Sequence, residues 1–178
     1  MPYTAVPYAT HLPVALDLLR DPGLLLVAAG RDGRPNAMTI GWGTVGIIWG
    51  KPIFSVLVRP SRHTFRLLEE SDSFTVCAPA PSQYDAVEFC GTRSGRDMDK
   101  FAACGLTARP SSAVRAPGIE GCPLIYECQV VHTNDVVPAH LTEGIRASAY
   151  PQGDYHRLYY GEILALQALD DAARRLEG

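Results

Sequence analysis

A chain of 178 residues, 47% hydrophobic and 20% charged, has the size and composition of one globular domain with its own core, spanning residues 1–178. Its formal net charge of -3 gives no electrostatic basis for a nucleic-acid partner. There is no run of about 18 apolar residues to span a membrane and no basic stretch leading an apolar one at the N-terminus, and the expectation is a soluble, cytoplasmic protein without a membrane partner.

In chain order, His11–Arg20 sets Leu12, Ala15, Leu16 and Leu19 at helical spacing before the Asp21-Pro22-Gly23 break. Leu24–Gly30 reads as a strand, and Asp32-Gly33 as the turn into a second strand from Asn36. Asn36–Arg59, dense in Thr, Val, Ile and Trp and broken by Gly50-Lys51-Pro52, predicts two or three antiparallel strands. A helix over Ser61–Ser71, capped by Ser61, and a strand over Ser73–Ala78 follow. Gln83–Cys90 and Asp97–Cys104 read as short helices around a loop at Gly91–Arg96, and Thr107–Glu120 as a connection. Leu124–His132 and Arg157–Gln167 read as strands separated by a polar segment, with a closing helix over Asp170–Leu176. Strands joined this way, without regular βαβ crossovers, favour a mainly β protein with short helices and an antiparallel barrel.

Gly41-Trp42-Gly43-Thr44-Val45-Gly46 matches the Gly-x-Gly-x-x-Gly pattern of dinucleotide folds, but that motif must open a helix. Here Gly50-Lys51-Pro52 follows almost at once, so the glycines are read as part of a bent barrel strand.

Four stretches carry groups suited to chemistry. Arg59-Pro60-Ser61-Arg62-His63-Thr64 gathers guanidinium and hydroxyl groups at a helix start, where unpaired N–H groups favour an anion; the same residues also serve as a cap and solvated charges. Cys90–Asp97 is a second loop of glycines, hydroxyls and arginines, with Lys100 one turn into the next helix, where Asp97 and Lys100 could equally be a cap and a surface charge. Asn36–Trp42 offers amide, hydroxyl and indole groups along a strand, either for a flat heteroaromatic ligand or as core. His156 precedes a strand and stands either at a barrel mouth near a charged ligand or in solvent. The five cysteines, odd in number and without a Cys-x-x-Cys pair, give neither a disulfide framework nor a zinc site and read as mostly buried thiols. The histidines have no metal-ligand spacing, and no hydrolase motif is present.

Taken together, Asn36–Trp42, Trp49–Pro52, Arg59–Thr64, Thr92–Lys100, and Asp154-Tyr155-His156 ahead of Tyr159–Glu162 resemble the flavin reductase-like family, which includes flavoredoxins and has the FMN-binding split-barrel fold. The resemblance runs from about Leu24 to Leu166. It implies that Asn36, Met38, Thr39, Gly41 and Trp42 line the isoalloxazine and ribityl region, and that Arg59, Ser61, Arg62 and Thr64 hold the phosphate end. Ser94, Gly95 and Lys100 would complete the anion site, and His156 would approach the flavin as the candidate catalytic residue. His63 departs from the aromatic residue more usual in that family. The resemblance further implies FMN as cofactor, NAD(P)H as co-substrate and a homodimer. Two activities fit: a reductase passing hydride from NAD(P)H to flavin and electrons onward, or a non-enzymatic carrier reduced by a redox protein partner.

Overall fold

The computed structural model describes residues 2–177, and the chain begins with strand β1 (Tyr3–Val6) and helix α1 (Leu12–Arg20). In α1 the buried positions are Ala15, Leu18 and Leu19. Leu16 faces outward, 41% exposed, so the apolar stripe lies one position away from its expected course. Strands β2 (Leu24–Ala29) and β3 (Pro35–Ile40) form a hairpin in which, of the Asp32-Gly33 pair, only Gly33 takes a positive φ. The expected two or three strands are three: β3, β4 (Gly43–Ile48) and β5 (Lys51–Val58). The β4–β5 turn is Trp49-Gly50, with both residues at positive φ, the geometry whose twist suits a two-residue hairpin.

Helix α2 (His63–Glu70) leads to β6 (Ser73–Ala78), and α3 (Tyr84–Thr92) and α4 (Lys100–Ala103) flank a loop over 93–99. Two-residue strands β7 (Ala108–Arg109) and β8 (Gly118–Ile119) pair within the long connection. Then come β9 (Leu124–Asp135), α5 (Glu143–Ala149), β10 (Arg157–Leu169) and α6 (Ala172–Glu177).

All strand pairs are antiparallel, and eight strands share one sheet in the order β3-β2-β6-β9-β10-β5-β4, with β1 added to β10. The 13-residue β10 pairs β5 through Arg157–Glu162 and β1 through Leu166–Leu169, so one strand serves both halves of the curled sheet. Its register against β9 shifts at Tyr160/Gly161. A Cβ on Gly161 would fall 2.5 Å from Phe74 Cζ and 2.7 Å from Cys128 Cβ, so only glycine lets the bent strand lie this close to its neighbours.

The run Leu24–Ala28 is apolar without alternation because both faces of β2 are covered. Leu24, Leu26 and Ala28 enter the main core with Phe54, Val56, Phe74 and Tyr126. Leu25 and Val27 face a second cluster with Val87, Cys90, Phe101 and Ile119 beneath α3 and α4. Burying each leucine contributes roughly 1.5–3 kcal/mol. Four of the five thiols are buried and Cys104 is half-buried, as the sequence predicts. Among the described residues no helix is long and apolar enough to cross a membrane, and no cluster of metal-binding side chains forms.

Candidate functional site

Two cavities meet at the end of β3. The first, about 260 Å³, is lined by Met38, Thr39, Ile40, Gly41 and Trp42, by Leu57 from β5, by Arg59 and Arg62 ahead of α2, and by His156 ahead of β10. The second, about 170 Å³, is lined by Asn36, Met38, Ser61–Thr64, Thr92–Arg96 and Lys100. Met38 and Arg62 belong to both, so the cavities adjoin.

The first cavity mixes apolar side chains, Met38, Ile40 and Leu57, with the polar groups of Thr39, Arg59, Arg62 and His156, and has an aromatic mouth. Trp42 is 46% exposed and its ring lies 5.1 Å from that of His156 and 6.4 Å, edge-on, from that of Tyr150. His156 is only 8% exposed, and its Nδ1 lies 2.8 Å from the Tyr150 hydroxyl. Burial, and then the Arg59 guanidinium, pull its pKa down to about 4 against the opposing pull of Asp154, so the imidazole is neutral at pH 7. The Thr39 hydroxyl donates to the Val87 carbonyl on α3, which commits its proton.

Arg59 stands at this first cavity and not at the second. Its Nη1 donates to the Asp154 carbonyl at 2.9 Å and its Nη2 to the Ala149 carbonyl at 2.8 Å, while the guanidinium lies 5.1 Å from the centre of the Tyr150 ring. It therefore clamps the segment from α5 to His156.

The second cavity is cationic. Arg62, Arg93, Arg96 and Lys100 line it, and His63 is held below its usual pKa by burial and by Arg66, Arg96 and Lys100. Lys100 is buried, with its pKa lowered by desolvation. Its ammonium donates to the Ala37 carbonyl at 3.0 Å and the Cys90 carbonyl at 2.8 Å, which ties α4 to β3 and α3 and leaves one proton of the three. Arg62 donates to the Gly91 carbonyl, and Arg96 to the Ser61 carbonyl, each at 2.8 Å. Asn36, on the same face of β3 as Met38, donates to Thr64 Oγ1 at 2.9 Å. The loop carrying Arg93–Arg96 then closes on Asn36 so tightly that a Cβ on Gly95 would fall 2.0 Å from its Oδ1.

Ser61 does not cap α2 as the sequence predicts. The cap position is Arg62, and the Ser61 hydroxyl and backbone N–H donate to the Asp154 carboxylate at 2.5 and 3.3 Å. An aspartate from the far loop thus takes the donors that the chain offers before this helix. Likewise Asp99, not Asp97, caps α4, accepting from Ala102 N.

Of the residues picked from sequence, Met38, Thr39, Gly41, Trp42 and His156 share the first cavity, and Ser61, Arg62, Thr64, Ser94, Gly95 and Lys100 the second. Asn36, expected with the ring-binding group, lines the second, and Arg59, expected at the phosphate end, lines the first. Sequence reasoning did not single out Ile40, Leu57, Tyr150 or Arg93. Arg93 lies within the Cys90–Asp97 stretch, where its charge is the local signal, whereas Leu57 and Tyr150 carry none.

A sequence profile of the flavin reductase like domain matches residues 22–176. Among solved structures, the chain is similar to the flavoredoxin of Desulfovibrio vulgaris (Miyazaki F), with a TM-score of 0.68 and 25% identity over 84% of this chain and 70% of that one. It shares its fold with an FMN-binding domain of a flavin reductases-like enzyme from Shewanella baltica, with a TM-score of 0.67 and 20% identity over 96% of this chain and 81% of the other. A protein of Methanothermobacter thermautotrophicus is 27% identical over 110 residues, 62% of this chain. That matched stretch spans only 46% of the relative's length.

Proposed function

The chain belongs to the flavin reductase-like family, and on that premise we propose that it binds FMN across the two adjoining cavities and works as an NAD(P)H-dependent flavin oxidoreductase. The observation that carries this reading is the pairing itself: an aromatic-mouthed cavity with Met38, Ile40 and Leu57 in its lining adjoins a cationic one at Met38 and Arg62. A flat ring with a phosphate tail asks for those two environments in that order.

The residues present fit the group. Met38, Ile40, Leu57 and Trp42 would hold the ring, while Arg62, Arg93 and Arg96, with the remaining proton of Lys100, would hold the phosphate. Bound FMN would supply the redox chemistry, accepting a hydride from a reduced nicotinamide and releasing electrons to an acceptor. A Tyr150 hydroxyl donating to Nδ1 leaves the proton of the neutral His156 ring on Nε2, a donor rather than a full charge at the ring cavity. Arg59 positions His156 and Tyr150 through the segment it clamps. A homodimer belongs to the same reading, since a second copy would shelter the exposed face of Trp42.

The test is a visible titration of the purified protein with FMN, followed by anaerobic addition of NADH or NADPH. Saturable binding and bleaching of the flavin are expected. Binding without bleaching would favour an electron carrier, the reading supported by the likeness to a flavoredoxin. Absence of binding would overturn the assignment.

A further inference from the structure

The turn that leads into α2 is held from two directions, and both holds meet on Ser61. Arg96 of the cationic loop donates from Nη1 to the Ser61 carbonyl at 2.8 Å, while the Ser61 hydroxyl and backbone N–H donate to the Asp154 carboxylate at 2.5 and 3.3 Å. Ser61 lines the cationic cavity, and His156, two residues beyond Asp154, lines the ring cavity. Asp154 itself lines neither, so it can serve a ligand only through a neighbour.

The backbone shows which neighbour. Asp154 has a φ of 55°, in the left-handed region that L side chains rarely adopt, and Gly153 before it has a φ of 76°. An aspartate tolerates this region when its short side chain bonds locally. Here the carboxylate instead bonds a residue 93 positions away, so a tertiary contact holds the turn. Past the turn, Tyr155 stacks on Tyr150 with ring centres 4.8 Å apart, and the His156 ring meets the Tyr150 hydroxyl and the Trp42 ring. The titratable and charged groups around that imidazole are Arg59, Tyr150 and Asp154. The hydrogen bonds of Arg59 to this segment all go to main-chain carbonyls, which any sequence would offer. The Asp154 carboxylate makes the hold depend on the residue.

We infer that Asp154 is a positioning residue: by binding Ser61 with its carboxylate it fixes the turn at Gly153-Asp154 and thereby sets the His156 ring against Trp42 in the ring cavity. The inference rests on the flavin site proposed above, in which His156 is a neutral donor.

Two variants test it without straining the turn. Asp154→Gly removes the carboxylate and accepts a positive φ, and Asp154→Asn keeps an acceptor oxygen and tolerates that φ. Asp154 is exposed, so the fold should survive both changes. The His156 ring is followed by NMR through a pH titration of wild type and variants, alongside binding of FMN and riboflavin. In Asp154→Gly the ring should lose its burial and titrate about one pH unit or more above the wild-type value of about 4. Both flavins should weaken by a common factor of about fivefold, the contribution of one hydrogen bond. Asp154→Asn should regain most of that affinity and titrate near or below the wild type. A carboxylate acting on His156 by charge alone has the opposite sign, because Asp154 pulls that pKa up against Arg59, and its removal would lower the titration. A lowered or unchanged titration in Asp154→Gly would therefore overturn the inference. So would a loss confined to FMN, which would put the role of Asp154 at the phosphate turn. A wild type that binds neither flavin would overturn the flavin reading, while the titration would still decide whether Asp154 holds His156.

Discussion

The imidazole of His156 is neutral because the fold buries it beside Arg59, and that has a consequence for stability. Its folded pKa of about 4 lies below the ordinary 6.5, so the unfolded chain takes up a proton first as the pH falls. Its contribution is fully present above about pH 6.5 and is lost between there and about pH 4. A loss of about 2 kcal/mol across that window is expected. Urea unfolding of wild type and His156→Asn at pH 7 and 4.5 checks it, the variant having the shallower pH dependence. Gly95 makes the second residue-scale prediction. Any Cβ there collides with Asn36, and Asn36 holds Thr64, so Gly95→Ala should displace the cationic loop. A destabilisation of about 1–3 kcal/mol is expected, with at least tenfold weaker FMN binding by titration. Single residues were legible where their chemistry was unusual for their surroundings, as with the arginines and glycines of 92–100. Leu57 and Tyr150 look like any core leucine or loop tyrosine until the strands place them, and Arg59 gives no local hint that backbone carbonyls will claim its guanidinium.

Elements with a strong period or a continuous apolar run were readable from local sequence: β6 has the predicted bounds, and β2 and α2 end within a residue or two of theirs. Elements that exist only through partners were not. β1 is four residues long and half open to solvent, and it forms by pairing with Leu166–Leu169 at the far end of the chain. β7 and β8 have two residues each and strand-pair only with each other, while α5, with no buried residue, has no apolar stripe to announce it. Its end is instead fixed by Arg59. Arg59→Ala removes the donors to Ala149 and Asp154 and the cation over Tyr150. Amide exchange over 149–156 should then accelerate at least tenfold while β5, β9 and β10 stay protected, and FMN affinity should fall as His156 loses its position. Unchanged exchange in that segment would show that the clamp is not what orders it.

At the scale of the whole molecule, the sequence implied the antiparallel mainly β class through its turns and strand spacing, but the strand order came into view only with the structure. That β10 would pair β9 on one edge and both β5 and β1 on the other depends on a bend at Gly161 and on contacts across most of the chain. The same curling brings β3, the start of α2, the 93–96 loop and the turn before β10 to one place, setting an aromatic-mouthed cavity beside a cationic one. The claim that these are one flavin site is tested most directly by comparing FMN with riboflavin, which has the ring and lacks the phosphate. Two charge-assisted hydrogen bonds to the phosphate, each contributing about 1.5–3 kcal/mol, predict FMN binding at least about a hundredfold tighter, with the difference largely abolished in Arg62→Ala/Arg96→Ala. Equal affinities for FMN and riboflavin in the wild-type protein would contradict the account.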